Sequence, residues 1–369
     1  MGTFFSRFRK LNSNEGTGTS ERPREYSWDK NRKLNVEDYS FNNIVNKVIG
    51  KLPGTIDGQQ FTIQNCSNST VYLLDQMNTV TIDECTHCKF ILGPVKESIF
   101  IRDCKSCVCV VSCGQFRARD CSNVDIYLCC PTQPIIEASV NMSFNCLQLY
   151  YESFSDHMTK AGLSPFNNIW NSVHDFTPGD QESSESGGHW TILRDDSTPK
   201  ISLDGHTDFN DVGLSFSWDA SFVPYTLPPL GRDMKVWASQ CLDVKPSACL
   251  VVVTPGPENQ HKAAMLFYHT LKRLEPECKL SSSKEFHMMS DHPFAKNTFG
   301  KDFTSGVIVG LRFFGPQCWE LCQKVKEYLS NEKPQRKQHI HLRKCCLKEL
   351  CTQDDFFSTP APYVPAFSG

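Results

Sequence analysis

The residues best suited to chemistry on a charged ligand lie in one short stretch, Gln115-Phe116-Arg117-Ala118-Arg119-Asp120. Side chains of a strand alternate between its two faces, so Gln115, Arg117 and Arg119 share one face while Phe116 and Ala118 take the other. Two guanidinium groups and a carboxamide in a row form a flat array of donors suited to phosphate or carboxylate oxygens. A solvated strand face can carry the same residues, and alternation alone does not separate the two. At a 19-residue offset, Ser98 is expected beside Arg117 on the preceding coil. A second candidate is Cys85-x2-Cys88 followed by Cys104-x2-Cys107, which matches a zinc-ribbon spacing. The equivalent positions on either side read Cys66/Ser69 and Cys121/Val124. The first cysteine is therefore periodic and the second optional, and stacked strands about 4.8 Å apart would line such pairs up along an axis without converging them. No helix N-terminus stands there to activate a thiol for redox work. No Gly-rich phosphate loop, His-Glu-x-x-His or Gly-x-Ser-x-Gly occurs, and the eleven histidines are scattered. Nothing in the chain assembles a self-contained active site.

The elements that must position the array repeat. Ile63-Gln-Asn-Cys66, Ile82-Asp-Glu-Cys85, Ile101-Arg-Asp-Cys104 and Ala118-Arg-Asp-Cys121 recur, each followed by a polar bend and an apolar run: Val71–Leu74, Phe90–Leu92, Val108–Val111 and Ile126–Leu128. A fixed short period without an intervening amphipathic helix predicts a solenoid, here the coils of a parallel β-helix with isoleucine and cysteine in inward ladders. Cysteine in such a ladder is a small buried hydrophobe. Eleven of the nineteen cysteines fall between Cys66 and Cys146, and the total is odd. Reduced thiols of a cytosolic protein are expected.

The 369 residues suffice for two domains, and 39% hydrophobic with 21% charged residues is ordinary composition. A net charge of −3 argues against a broad nucleic-acid-binding surface. No run of 18 apolar residues and no apolar segment after Met1 suggests a membrane span or a secretory signal. Met1-Gly2 with Ser6 fits N-myristoylation at Gly2, and Arg7, Arg9 and Lys10 would add roughly 1 kcal/mol each on an anionic membrane. The expected organisation is a lipidated flexible N-terminus over 1–24, a β-helix domain over 25–180, a linker over 181–231, an α/β domain over 232–350 and a disordered tail over 351–369. In the α/β part, Cys249–Thr254 and Gly306–Phe314 read as buried strands, and Glu258–Leu274 and Pro316–Leu329 as helices.

Several segments together resemble the retinitis pigmentosa 2 family, with its tubulin-binding cofactor C domain. They are Tyr-Ser-Trp-Asp from Tyr26, Lys51-Leu-Pro-Gly, Gly58-Gln-Gln-Phe, Ile91-Leu-Gly-Pro-Val-Lys96, Gln115-Phe-Arg, Thr132-Gln-Pro-Ile-Ile-Glu137 and Phe166-Asn-Asn to His174-Asp-Phe-Thr-Pro178. The resemblance is dense over residues 24–180. It implies a right-handed parallel β-helix followed by a small α/β domain, ferredoxin-like and similar to nucleoside diphosphate kinase. It also implies a GTPase-activating protein for an Arf-like small GTPase, acting in trafficking of lipidated proteins at cilia and the cytoplasmic face of the plasma membrane. On that basis Arg117 would be the arginine finger and Gln115 its support. Glu97, Ser98, Gly114 and Phe116 would face the partner's nucleotide, and Arg119, Glu137 and Phe176 the partner itself. GTP and Mg would belong to the partner; the alternative is a non-catalytic effector or scaffold that binds the GTP-bound GTPase or tubulin without accelerating hydrolysis. Thr3 stands where the family has a palmitoylated cysteine, and Glu97 and Gly114 depart from the family's usual residues. No Asn-x-x-His-Gly-Ser-Asp is present, so phosphotransfer by the C-terminal part is not expected; His287-Met-Met-Ser-Asp291 is its nearest imitation.

Overall fold

In the computed structural model, the described residues are 36–177, 188–193, 214–215, 221–227, 246–299 and 303–345. Short parallel strands coil into a β-helix, as the repeats predict. One wall stacks β1 (Ser40–Asn42), β3 (Phe61–Gln64), β5 (Val80–Asp83), β7 (Val95–Arg102) and the second half of β8 (Val108–Arg119). The other stacks β2 (Val48–Lys51), β4 (Thr70–Leu73), β6 (Lys89–Leu92), the first half of β8 and β9 (Ser122–Cys129). A last coil adds β10 (Ile135–Glu137) to β8 and β11 (Val140–Cys146) to β9.

Local chemistry explains the coil. On the first wall Ile63, Ile82, Ile101, Ala118 and Ile136 stack in register and are all buried. At the corner that follows, two residues per coil take left-handed backbone: Asn43/Asn46, Asn65/Asn68, Glu84/His87, Asp103/Ser106, Asp120/Asn123 and Ala138/Asn141. Asn and Asp tolerate that conformation best. Between the members of the four middle pairs sits the laddered cysteine, with Ile44 in its place in the first coil and Ser139 in the last; the thiols of Cys66, Cys85, Cys104 and Cys121 donate to the carbonyl two residues back at 3.1–3.3 Å. Ser139 makes the same bond in the last coil at 2.8 Å. The cysteines are thus corner fillers with a weak donor, and burial pushes the Cys88 thiol up to about 12.

The two walls differ on their outer surfaces. On the second, Tyr72, Ile91, Val110, Tyr127 and Asn145 point away from the coil interior and are nonetheless buried. Continuous apolar runs in the sequence signal such two-sided burial. The cover comprises α1 (Phe154–Ala161), Trp170 and residues 221–227; Trp170 Nε1 donates to Thr226 at 3.1 Å, whereas Phe166 packs into the core of the C-terminal part. The first wall keeps the half-buried or exposed outer pattern of an open sheet face.

Two further short strands extend the coil, β12 (His174–Asp175) on β10 and β13 (Trp190–Ile192) on β11. The second lies within the stretch expected as linker over 181–231, as do the buried Ser221, Val223 and Thr226. Both segments pack because the last coil would otherwise expose an apolar end, and Trp190 meets Phe144 edge-on at 6.0 Å.

The C-terminal part is a four-stranded antiparallel sheet. Along the chain it runs β14 (Pro246–Val253), α2 (Gln260–Leu274), β15 (Lys279–Met288), α3 (Pro293–Phe299), β16 (Gly306–Pro316), α4 (Cys318–Glu332), α5 (Arg336–His339) and β17 (Ile340–Cys345). Its order β15-β16-β14-β17 is the split β-α-β of a ferredoxin-like fold, as expected. Helices α2 and α4 cover one face, and α3 with Phe299, Phe303 and Leu227 covers the other. Helix α2 starts at Asn259, whose side chain accepts from Lys262 N at 3.1 Å, and ends before Pro276. Two strands are not legible in the sequence: β15, whose Ser281–Lys284 is polar, and β17, hidden in the basic stretch 331–348. Helix α4 begins at Cys318 rather than Pro316, because Gln317 takes left-handed backbone at its start.

Candidate functional site

The donor array lies on the open wall. Phe116 and Ala118 are buried, and Gln115, Arg117 and Arg119 project outward and are exposed. Inside the coil, Phe116 meets Phe144 edge-on at 5.9 Å, tying this strand to the opposite wall. Hydrogen bonding on both sides, to β7 and to β10, leaves β8 no free edge at Arg117. The guanidinium is therefore carried by a strand whose backbone has little freedom to shift.

Register corrects one expectation. Ser98 does not sit beside Arg117; it pairs with Gln115, and Phe100 lies beside Arg117. The cause is a bulge between Val95 and Ser98 together with a coil of 17 rather than 19 residues between Asp103 and Asp120. Ile135 flanks Arg117 on the other side. Phe100 and Ile135 carry no such signal in the sequence, because only the stacking of coils makes them neighbours. They give Arg117 an apolar surround on both sides.

The strand just before Gln115 is tightly held. A Cβ at Gly114 would lie 2.5 Å from the Lys96 carbonyl and 2.6 Å from that of Glu97, so only glycine allows β8 to approach β7 this closely. The Gly114 carbonyl accepts from Thr132 Oγ1 at 2.9 Å and from Cys130 Sγ at 3.6 Å. Thr132 is thus a positioning residue, a role that its place in Thr132-Gln-Pro-Ile-Ile-Glu137 does not announce. Glu97 itself is exposed, and its amide donates to Asn78 O at 2.8 Å.

Charges around the array are partly spent. Arg119 Nε is 3.1 Å from Asp120 Oδ2, both well exposed, and Arg119 stands beside Arg102 and Glu137 in register. Arg102 forms a bidentate pair with Asp83 at 2.7 and 2.6 Å and lies over the Phe100 ring at 5.2 Å. That pair holds the Arg102 guanidinium still more firmly protonated. Among the described residues, neither Gln115 nor Arg117 has a side-chain partner, so their donors face solvent.

Glu137 and Phe176 lie on the same open wall. The Phe176 amide donates to Ile136 O at 2.8 Å, the residue is 57% exposed, and its ring meets His174 edge-on at 4.3 Å. Asp175 points away and is held by Thr177 N at 2.8 Å and His189 Nδ1 at 2.8 Å. Burial raises the Asp175 carboxyl, but these bonds outweigh it and leave the group below the usual carboxylate range. Gln115, Arg117, Arg119, Glu137 and Phe176 therefore share one surface; Ser98 borders it beside Gln115, and Phe116 lies beneath. Gly2 lies outside the described residues. No cluster of histidine, cysteine or carboxylate among the described residues has the geometry to hold a metal ion.

An exposed, unpaired guanidinium with a carboxamide two residues before it, set between apolar side chains, is equipped to enter another molecule's anionic site. Residues 58–176 match the family model Tubulin binding cofactor C. Protein XRP2 of Homo sapiens is 36% identical over 341 residues, covering 90% of this chain and 91% of that protein. Protein XRP2 of Danio rerio is 44% identical over 209 residues, 56% of this chain and 54% of the relative. Tubulin-specific chaperone C of Homo sapiens is 28% identical over 153 residues, 42% and 44% of the two chains. With the β-helix and that coverage together, the chain belongs to the XRP2 family and carries its tubulin binding cofactor C domain.

Proposed function

We propose that this chain is a GTPase-activating protein for an Arf-like small GTPase, with Arg117 as a finger supplied in trans and Gln115 as its support. It acts as an activator without an active site of its own; the GTP and its Mg belong to the partner. The observation that carries the reading is the state of Arg117. It is exposed and unpaired among the described residues, on a strand hydrogen-bonded at both edges. During hydrolysis negative charge grows on the phosphate oxygens, and a planar guanidinium can donate to two of them at once. Such a finger typically raises kcat by about 10³–10⁵, or roughly 4–7 kcal/mol of barrier. The benefit depends on placement, because a displacement of about 1 Å can cost 10²-fold. A stacked wall with Phe116 pinned inside supports that placement. Phe100, Ile135 and Phe176 supply apolar contact around the charge, and Arg119 and Glu137 supply polar contacts at the side.

Single-turnover hydrolysis by a panel of Arf-like GTPases tests this. Wild type should accelerate at least one of them, and Arg117→Ala should remove the acceleration while leaving the fold unchanged by circular dichroism. Equal stimulation by the variant would refute the finger assignment. The relative named tubulin-specific chaperone C favours a second reading, a binder of tubulin or of the GTP-bound GTPase that leaves hydrolysis alone. Saturable binding without any rate change in the same assay would select it. Myristoylation at Gly2, aided by Arg7, Arg9 and Lys10, would place the activator on the cytoplasmic face of membranes, including those of cilia. Intact-mass analysis of protein from eukaryotic cells checks the lipid.

A further inference from the structure

The two edges of the C-terminal sheet are treated differently. At one, β15 is covered: Asn167 bonds to the amide and carbonyl of Glu285, and Leu227 N donates to Leu280 O at 3.0 Å. At the other, β17 pairs with β14 alone among the described residues. The ladder fixes which of its groups are left over. Thr254 N donates to His339 O at 2.9 Å. The hydrogen-bonded pairs that follow are Val252/His341, Leu250/Arg343 and Ala248/Cys345. The amides and carbonyls of Leu342 and Lys344 therefore point to the outer edge, as does the Ile340 carbonyl; Ile340 N is taken by Arg336 O.

This edge is cationic. From Lys333 to Lys344 the chain carries five lysines and arginines and no carboxylate. Lys333 and Arg336 pair with Glu258, whereas Lys337 and Lys344 are exposed. Neighbouring residues of a strand point to opposite faces, so Arg343 and Lys344 flank the edge on its two sides. Arg343 lies over the Phe294 ring of α3 at 5.7 Å, and Lys344 Nζ over the Trp319 ring of α4 at 6.0 Å. Burial above all pushes His341 down to about 4, so its imidazole adds no charge near neutral pH.

We propose that the outer edge of β17 takes an extended acidic segment of a partner protein as a further strand of this sheet. Main-chain bonds to Ile340, Leu342 and Lys344 hold the backbone of the segment. Carboxylates at adjacent positions reach Arg343 on one face and Lys344 on the other. About five extended residues span this length. A second copy of β17 would set like charges opposite one another, so self-pairing is disfavoured. A nucleic acid or an anionic lipid surface would answer the charge, but it has no row of alternating donors and acceptors for the edge. A partner strand supplies both.

The test uses the full chain and a capped eight-residue probe with adjacent glutamates among valines and threonines. Fluorescence anisotropy should show saturable binding, and the same peptide with lysine for glutamate should not bind. Residue-resolved hydrogen–deuterium exchange then locates the probe. At roughly ten times its Kd, the Leu342 and Lys344 amides should exchange about tenfold more slowly. Those of His341 and Arg343, already bonded to β14, should not change. Lys344→Glu, at an exposed position, should weaken the glutamate peptide by about fivefold. Equal binding of the lysine peptide would overturn the proposal, as would binding that leaves the Leu342 and Lys344 amides unprotected. So would failure of the peptide to bind where a short oligonucleotide or phosphatidylserine vesicles do. Exchange in the wild type decides alone if the variant does not fold.

Discussion

A single added methyl at Gly93 should test how rigidly the solenoid is packed behind the site. Gly93 lies between β6 and β7, and its amide donates to Leu73 O at 2.7 Å. A Cβ there would fall 2.2 Å from the Asp75 carbonyl oxygen and 2.7 Å from the Tyr151 hydroxyl. Ordinary contact begins near 3.4 Å, so Asp75 would have to retreat by roughly 1 Å in a close-packed interior. It has nowhere to go. Its carboxylate accepts from the amides of Ile56, Asp57 and Gln76 at 2.7, 2.8 and 2.9 Å. Burial raises this carboxyl, but those backbone bonds outweigh it and hold the group charged. Tyr151 is pinned by His157 Nδ1 at 2.8 Å. Overpacking costs about 1–3 kcal/mol, and loss of the Tyr151–His157 bond adds about 1 kcal/mol. Gly93→Ala should therefore lose about 2–4 kcal/mol, a fall in Tm of roughly 5–15 °C. The comparison is Gly162→Ala, at the left-handed end of α1 (φ 68°) with nothing within 4 Å of a Cβ; strain alone should cost about 1 kcal/mol there. Thermal and urea unfolding of both variants decides it. If Gly93→Ala is the milder of the two, or shifts Tm by no more than a degree or so, the packing argument is wrong.

Arg117→Lys keeps the charge but loses the bidentate fork, so its stimulation of hydrolysis should resemble that of Arg117→Ala rather than wild type; a fully active lysine variant would contradict the geometry. Glu258 is held at about 2, against an ordinary 4.5, chiefly by hydrogen bonds from Arg336 and with help from Lys333. A depressed carboxyl stabilises the fold above its unfolded value and loses that effect as pH falls through the folded one. Urea midpoints should therefore decline between about pH 4.5 and 2 in wild type, and Glu258→Gln should lack that component of the slope. Asn167 mimics a strand partner of β15, accepting from Glu285 N at 2.8 Å and donating to Glu285 O at 3.0 Å. Asn167→Ala should cost about 1–3 kcal/mol and speed amide exchange at Glu285, measured by hydrogen–deuterium exchange; unchanged exchange would show that this clasp does not hold the two parts together.

Much of the site is local and for that reason readable. The alternation that buries Phe116 and Ala118 turns Gln115, Arg117 and Arg119 outward whatever lies next to them. The Ile-x-x-Cys period likewise announces stacked coils, because inward positions repeat wherever the strand recurs. The corner conformations are less legible. Asn65 and Asn68 advertise left-handed backbone, but Glu84, His87 and Ala138 take it too, held there by the ladders above and below. In the C-terminal part, β15 and β17 have too little hydrophobic contrast to stand out. Burial of their alternate residues against α2, α4 and α3 arises only once the sheet has formed.

What the sequence determines alone, then, is a periodic wall with a donor row on its outer side, since side-chain parity along a strand needs no knowledge of neighbours. Tertiary structure decides who the neighbours are. Phe100 and Ile135, rather than Ser98, enclose Arg117, because hydrogen bonds between coils set the register, and one bulge and one shortened coil move it. The structure also decides which wall stays open. The second is covered by α1, Trp170 and residues 221–227, distant in the chain, and the first is left free to present its guanidinium.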